Sequence, residues 1–259
     1  MVLNKSTVRR KYLLWGASAL LLLLISVLLY LFGGRLLDLV TGKREPVGVM
    51  YHLISDRVTN ETQEALFVSP HEFEAHLKAL NEAGYTYLFA DEYEKSSEKT
   101  VVITFDDGYE DNYTDMFPIL KRCGGKATVF VIVDSIGKPG YLSEEQMREM
   151  AESGCVRFGS HTVSHPRLTE LDEDEIRAEF AMSKERITEI TGVECDSVAY
   201  PFGDCDGRVK EIAKEYFDFG YLARRLRPWQ KQTDLGIPRC YAYRGQGAEA
   251  FMSMIRKGN

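Results

Sequence analysis

Two aspartates stand side by side in "TFDDG", residues 104–108, between an apolar run and a glycine. Adjacent carboxylates repel, and a partly buried pair ionises cheaply only beside positive charge. A second segment supplies a source: "SHTVSH", residues 160–165, places His161 and His165 four residues apart. Two imidazoles and one carboxylate make three protein ligands, the number a hydrolytic zinc centre uses while leaving one position open. One aspartate would bind the cation and the other act as a base on water, because the cation lowers the cost of ionising its neighbour. His52, after "VGVMY", and "YPFG", residues 200–203, are further polar sites that follow apolar β-type runs.

Weaker readings of the same residue types set the limits. Adjacent aspartates before a glycine also make turns and helix N-caps. His71 and His76, with Glu72 and Glu74 around them, read as a solvated helix face. The acidic run "ELDEDE", residues 170–175, reads as a helix N-terminus that exploits the helix dipole, since it lacks the EF-hand spacing.

The elements that must position these groups alternate. Strands are expected at Val47–Leu53, Thr86–Phe89, Thr100–Phe105, Lys126–Val133, Cys155–Phe158, Ser197–Tyr200, Phe219–Ala223 and near Ile237. Helices are expected at about 69–84, opened by a Ser69/Glu72 capping box with Pro70 and closed at Gly84, and at 111–122, 143–153, 172–191, 207–216 and 248–256. This order predicts an α/β fold with a mainly parallel sheet, its ligands at the C-terminal strand ends. About 250 residues is typical of eight βα units, so the shorter region left here fits a distorted, incomplete (β/α) barrel.

Ahead of that region, Tyr12–Phe32 carries no charged residue over 21 positions and follows Lys5, Arg9, Arg10 and Lys11. A bilayer needs about 20 apolar residues of helix. The pattern predicts a cytoplasmic N-terminus at 1–11, an uncleaved transmembrane signal anchor at 12–32, a stalk at 33–46 and an extracellular domain at 47–259. Residues 45–259 hold 25 Lys or Arg against 38 Asp or Glu, a net of −13, which excludes a nucleic-acid binder dependent on basic surface. The five cysteines have no CxxC spacing and read as small buried hydrophobes, with Cys195 and Cys205 as the pair open to bridging.

"TFDDGYEDNY", "SHTVSHPRL" and "AYPFGD" together resemble the leading motifs of the polysaccharide deacetylases, carbohydrate esterase family 4 with its NodB homology domain. The resemblance runs from Val47 to about Ile255. It implies a barrel of about seven strands and removal of acetyl groups from N-acetylglucosamine polymers with a divalent metal, zinc first, with cobalt, nickel and manganese as alternatives. It also implies that Asp106 is the general base, that Asp107, His161 and His165 bind the metal, and that the Phe202 N–H helps hold the oxyanion. No histidine follows His165, so the proton donor expected near the C-terminus is absent there. His52 matches the subset whose acid histidine comes first. Ala199 and Phe202 stand where many members carry arginine and tyrosine. Arg239, in "IPRC", is the expected substitute tether on Asp106, with Arg224, Arg225 and Arg227 as rivals. Tyr109, Trp229 and Tyr243 are candidates for stacking on sugar faces.

A glycoside hydrolase is disfavoured, because its two carboxyl groups flank the scissile bond about 5–9.5 Å apart and adjacent aspartates do not. A xylan-type O-acetyl esterase would share the same site. A membrane-anchored carbohydrate-binding protein with a degenerate site is the alternative of a different class, favoured by the departures at Ala199 and Phe202.

Overall fold

The computed structural model describes residues 26, 46–58, 61–95, 99–224 and 232–258. The signal-anchor and stalk expectations, along with Trp229, Arg225 and Arg227, lie outside them. No helix among the described residues is long and apolar enough to cross a membrane.

The unit Glu45–Asn259 is built from ten strands and six α-helices in the described residues. In chain order these are β1 (Val47–Tyr51), β2 (Leu53–Ile54), β3 (Phe67–Val68), α1 (Pro70–Glu82), β4 (Thr86–Leu88), β5 (Thr100–Phe105), α2 (Phe117–Cys123), β6 (Ala127–Val131), α3 (Glu144–Glu152), β7 (Val156–Ser160), α4 (Glu173–Thr191), β8 (Ser197–Ala199), α5 (Gly207–Ala213), β9 (Phe219–Tyr221), β10 (Arg239–Tyr241) and α6 (Ala248–Lys257). Three helices open on capping boxes, at Ser69/Glu72, Ser143/Gln146 and Asp172/Glu175. Each box satisfies backbone N–H groups that the first helical turn leaves without partners.

Seven strands pair in the order β10-β1-β5-β6-β7-β8-β9, all parallel, and β4 pairs with the first half of β5. A bridge between Tyr221 and Ile237, just ahead of β10, links the two ends of that series and makes a nearly closed barrel. The seven-strand barrel expected from the sequence is therefore present. Strand alternation sorts the side chains. Val101, Ile103 and Phe105 join the large core shared with the helices, whereas Val102 joins Phe130, Ala199, Tyr221 and Ile237 in a separate inner cluster. Thr104 and Asp106 follow Val102 on that inner face.

Register does the rest of the positioning. Tyr51 pairs with Phe105, so His52 and Asp106 leave adjacent strands at the same level. Gly48 pairs with Arg239, and a Cβ on Gly48 would meet the Pro238 carbonyl oxygen at 2.9 Å and Arg239 Cγ at 3.1 Å. Glycine is what lets the arginine chain pass into the barrel.

Several expectations need correction. The first strand stops at Tyr51 and resumes as the short β2, which pairs with β3. The helix expected at 111–122 is split into a π-helical turn, Asn112–Met116, and α2. The last strand begins at Arg239, after Ile237. His76 is fully buried, unlike the solvated residue expected, while His71 is exposed. The His76 Nε2–H donates to the Gln246 carbonyl at 2.5 Å, so its Nδ1 accepts from the Tyr51 hydroxyl at 2.9 Å, and its ring stacks on Phe251 at 4.1 Å. The helix face is polar there because it receives a distant segment, not water. No disulfide joins the five cysteines, and of them Cys195 and Cys240 are buried.

Candidate active site

The inner faces of β1, β5, β7 and β10 deliver His52, Asp106, His161 and Arg239 to the C-terminal mouth of the barrel. Asp106 is 2% and Arg239 1% exposed. Arg239 Nη1 donates to Asp106 Oδ1 at 2.6 Å and Nη2 to Oδ2 at 2.7 Å, a two-pronged contact that fixes the plane of the carboxylate. Nη1 also donates to Thr104 Oγ1 at 2.8 Å and Nε to the Leu222 carbonyl at 3.1 Å. The guanidinium lies against the Phe130 and Tyr221 rings, in the inner cluster that also holds Ala199. Burial opposes ionisation of Asp106, but the Arg239 charge beside it holds its carboxyl below the usual range.

Asp107 turns away from the strand path with φ of 75°, a left-handed conformation. Gly108 follows at φ 77°, where a Cβ would lie 2.8 Å from Val131 Cγ1, so the turn requires glycine. The redirected Asp107 Oδ1 lies 3.4 Å from His161 Nε2 and 3.7 Å from His165 Nε2. One ligand atom from each of the three lies within 4.8 Å of the others. Bonds of about 2.0–2.1 Å in a tetrahedral zinc site put neighbouring ligand atoms about 3.3 Å apart, so the donor set fits a divalent cation. The far side of one imidazole agrees: His161 Nδ1–H donates to the Ala199 carbonyl at 2.7 Å, which turns Nε2 toward Asp107 and the centre.

The charges are mutually supporting. Burial opposes ionisation of Asp107, yet its hydrogen bond to His161 and the charges of His161, His52 and His165 hold its carboxyl well below the usual range. Burial also works against a charged His161, but the Asp107 hydrogen bond and the two carboxylates outweigh it and raise its pKa. In His52 burial wins over the same carboxylates, and its pKa falls. His165 is lowered by burial and by His161.

Backbone strain gathers in the same place. Among the described residues, the non-glycine positions with positive φ are Asp107, Thr162, His165 and Phe202, at 75°, 68°, 60° and 58°. A left-handed non-glycine residue costs on the order of 1–3 kcal/mol and persists where the surroundings over-determine it. Thr162 Oγ1 accepts the His165 N–H at 3.0 Å and so supports one of the others. Phe202 sits in the Pro201–Gly203 turn, whose Gly203 and Asp204 N–H groups go to the Tyr200 and Pro201 carbonyls. Its ring is 55% exposed, edge-on to His165 at 4.6 Å and under the Arg167 guanidinium at 4.5 Å, and Arg167 is paired with Asp204.

Of the other expected site residues, Tyr109 hydrogen-bonds Asp107 and stacks on Tyr141 at 5.2 Å, its hydroxyl pKa pushed up by burial and by the Asp107 charge. Tyr243 is exposed near the end of β10. Among the arginine candidates, Arg239 reaches Asp106. Sequence reasoning missed Thr104, Tyr141 and Tyr241, whose ring lies edge-on to His52 at 6.0 Å. Thr104 did carry a signal, as a hydroxyl two positions before Asp106 and so on the same strand face. Tyr241 carried none, because its neighbour comes from the opposite end of the chain.

A parallel barrel with a carboxylate, two imidazoles and a clamped second carboxylate at its C-terminal mouth belongs to the hydrolytic α/β enzymes. Comparison narrows this. A family profile described as polysaccharide deacetylase matches residues 93–217. YxkH of Bacillus subtilis, a protein named for that family, is 42% identical over 218 residues, covering 80% of this chain and 75% of its own length. The poly-beta-1,6-N-acetyl-D-glucosamine N-deacetylase of Staphylococcus aureus is 26% identical over 192 residues, 66% of each chain. The crystallised Streptococcus pyogenes deacetylase PplD, in complex with acetate, superposes with a TM-score of 0.75 at 26% identity, covering 82% of this chain and 98% of that one. The chain belongs to the polysaccharide deacetylase family.

Proposed function

We propose that this protein is a divalent-metal-dependent hydrolase. It removes N-acetyl groups from an N-acetylglucosamine-containing cell-surface polysaccharide or peptidoglycan and releases acetate. The observation that carries this is the juxtaposition of the Asp107, His161 and His165 ligand set with a second carboxylate, Asp106, held in one orientation by Arg239. The family membership, a relative named as a poly-β-1,6-N-acetylglucosamine deacetylase and a structural neighbour holding acetate support the acetamide as the reacting group.

Asp107, His161 and His165 hold the cation, zinc by the chemistry of the donor set, with cobalt, nickel or manganese able to replace it. When bound, the cation supplies Lewis acidity that polarises the acetamide carbonyl and acidifies water. Asp106, kept ionised and aimed by Arg239, accepts the proton of the attacking water. The Phe202 N–H, set by its left-handed turn, faces the charge that develops on the carbonyl oxygen. His52, level with Asp106 across the β1–β5 pair, protonates the departing sugar amine. Phe202, Tyr109 and Trp229 are the aromatic groups assigned to the glycan. The apolar segment 12–32 behind its basic flank supports a single-pass anchor with the enzyme outside the cell membrane.

Arg239 at the tether position weakens the case for a degenerate carbohydrate-binding protein, which leaned on Ala199. The test is acetate release by the full-length, metal-loaded protein from poly-β-1,6-N-acetylglucosamine, peptidoglycan and acetyl xylan. Release from an N-acetylated polymer is expected. Release from acetyl xylan alone would make it an O-acetyl esterase, and none from any of the three would contradict the reading.

A further inference from the structure

His52 lacks the support that usually orients a proton-donating imidazole. Its Nδ1 is buried without a hydrogen-bond partner, where a carboxylate would ordinarily fix ring and tautomer. The ring is therefore placed by its backbone and by the edge of Tyr241. What holds that backbone is found in the segment that follows the paired aspartates.

After Asp106 and Asp107 the chain does not enter α2 directly. It makes the π-helical turn Asn112–Met116, a local widening that recurs at functional sites. Asn112 opens this turn and is fully buried. Its Nδ2 donates both hydrogens, one to the His52 carbonyl at 3.0 Å and one to Asp111 Oδ1 at 2.9 Å. Asp111 in turn accepts the Ile54 backbone N–H. Asn112 and the residue just before the turn, Asp111, thus grip the chain at 52 and 54, between the end of β1 and the end of β2. Along with the Asp106 N–H to Tyr51 carbonyl bond, 3.0 Å, these contacts tie the His52 backbone to the segment carrying Asp106 and Asp107.

We infer that Asn112 is the positioning residue of His52: its side-chain amide, braced by Asp111, fixes the His52 carbonyl and so the imidazole's approach to the substrate nitrogen. The inference rests on the reading of His52 as proton donor and deepens it. Asn112 touches neither ligand set nor Asp106 in any bond described above, so its effect passes through His52.

The experiment is a kinetic cycle on the full-length, metal-loaded protein, reading kcat and KM for acetate release from N-acetylglucosamine oligomers, with metal content measured in each variant. Asn112→Ala, His52→Ala and the double variant are compared. A misplacement of about 1 Å at a catalytic group can cost about 100-fold, so Asn112→Ala should lower kcat by up to about that factor with KM and metal content unchanged, and should lower it no further when His52 is already alanine. The same factor in both backgrounds, an unchanged kcat, or loss of metal would overturn the inference. Full activity in His52→Ala alone would instead overturn the proton-donor reading, and the inference with it. Should Asn112→Ala not fold, Asp111→Asn, which keeps the shape of the brace, gives the same comparison, with a smaller kcat loss that disappears in the His52→Ala background as the supporting result and an equal loss in both backgrounds as the contrary one.

Discussion

The Arg239 guanidinium meets both carboxylate oxygens of Asp106, at 2.6 and 2.7 Å, from a strand 133 residues further along the chain. The two become neighbours because β10 pairs with β1 and β1 with β5. Breaking a buried ion pair from one side leaves an uncompensated charge and costs about 3–5 kcal/mol. Arg239→Ala should therefore lower stability by about that amount and, by releasing the base, reduce kcat by at least about 100-fold. Arg239→Lys keeps the charge without the fork and should fall between. Denaturant unfolding alongside acetate-release kinetics checks both.

Asp107 stands at the centre of the ligand set, within 3.7 Å of a nitrogen on each histidine. Asp107→Ala should abolish stoichiometric metal binding and activity while leaving the barrel folded, read by elemental analysis and circular dichroism. Chelation of the native protein should stop acetate release and lower its melting temperature. Restoring a metal that binds only the folded state to 100 times its Kd adds about 2.7 kcal/mol. A chelated protein that stayed fully active would remove the metal from the account.

Burial pushes the Asp111 carboxyl up to about 7, against its hydrogen bonds to the Ile54 N–H and Asn112, and Asp115 and Glu110 add to the rise. The folded state then binds a proton more tightly than the unfolded state. Stability from this group is fully present below the unfolded pKa, near 4, and declines as pH rises through about 7. Asp111→Asn, which cannot ionise, should flatten that decline. The signed change in metal-free unfolding midpoint from pH 5 to pH 8 should be more positive in the variant than in the native protein, since the lowered His52 and His165 pKa values contribute equally to both; an equal or more negative change would contradict this.

His76 joins β1 to the C-terminal segment through Tyr51 and Gln246, outside the site. His76→Ala leaves the Tyr51 hydroxyl without its partner and opens a cavity against Phe251, for a loss of about 2–4 kcal/mol. The measurement is thermal or denaturant unfolding, with kcat little changed per folded molecule. Stability equal to the native protein would mean that water replaces the ring.

Asp106, Asp107, His161 and His165 were legible in the sequence as residues at strand ends, because the apolar run 100–105 and the paired His positions are local signals. The capping box at Ser69 and the helix N-terminus in the acidic run 170–175 were legible for the same reason. What escaped was set by contacts between distant segments. Polar neighbours of His76 suggested water, but the Gln246 carbonyl comes from 170 positions away. Arg239 was the expected tether, but Arg224, Arg225 and Arg227 stayed rivals in the sequence, because the fork on Asp106 forms only when β10 pairs with β1 and β1 with β5. The π-helical turn reads as ordinary helix in composition, and the bond from Asn112 to the His52 carbonyl joins segments 60 positions apart.

The central claim is that Asp106 activates water beside a metal held by Asp107, His161 and His165, and one measurement tests it most directly. Acetate release from an N-acetylated glycan is compared between the native protein and Asp106→Asn, both loaded with zinc and assayed for bound metal. The account predicts that the variant keeps its metal and its fold yet loses at least about 100-fold in kcat, the contribution expected of a general base. A metal-loaded variant that releases acetate at the native rate would contradict it.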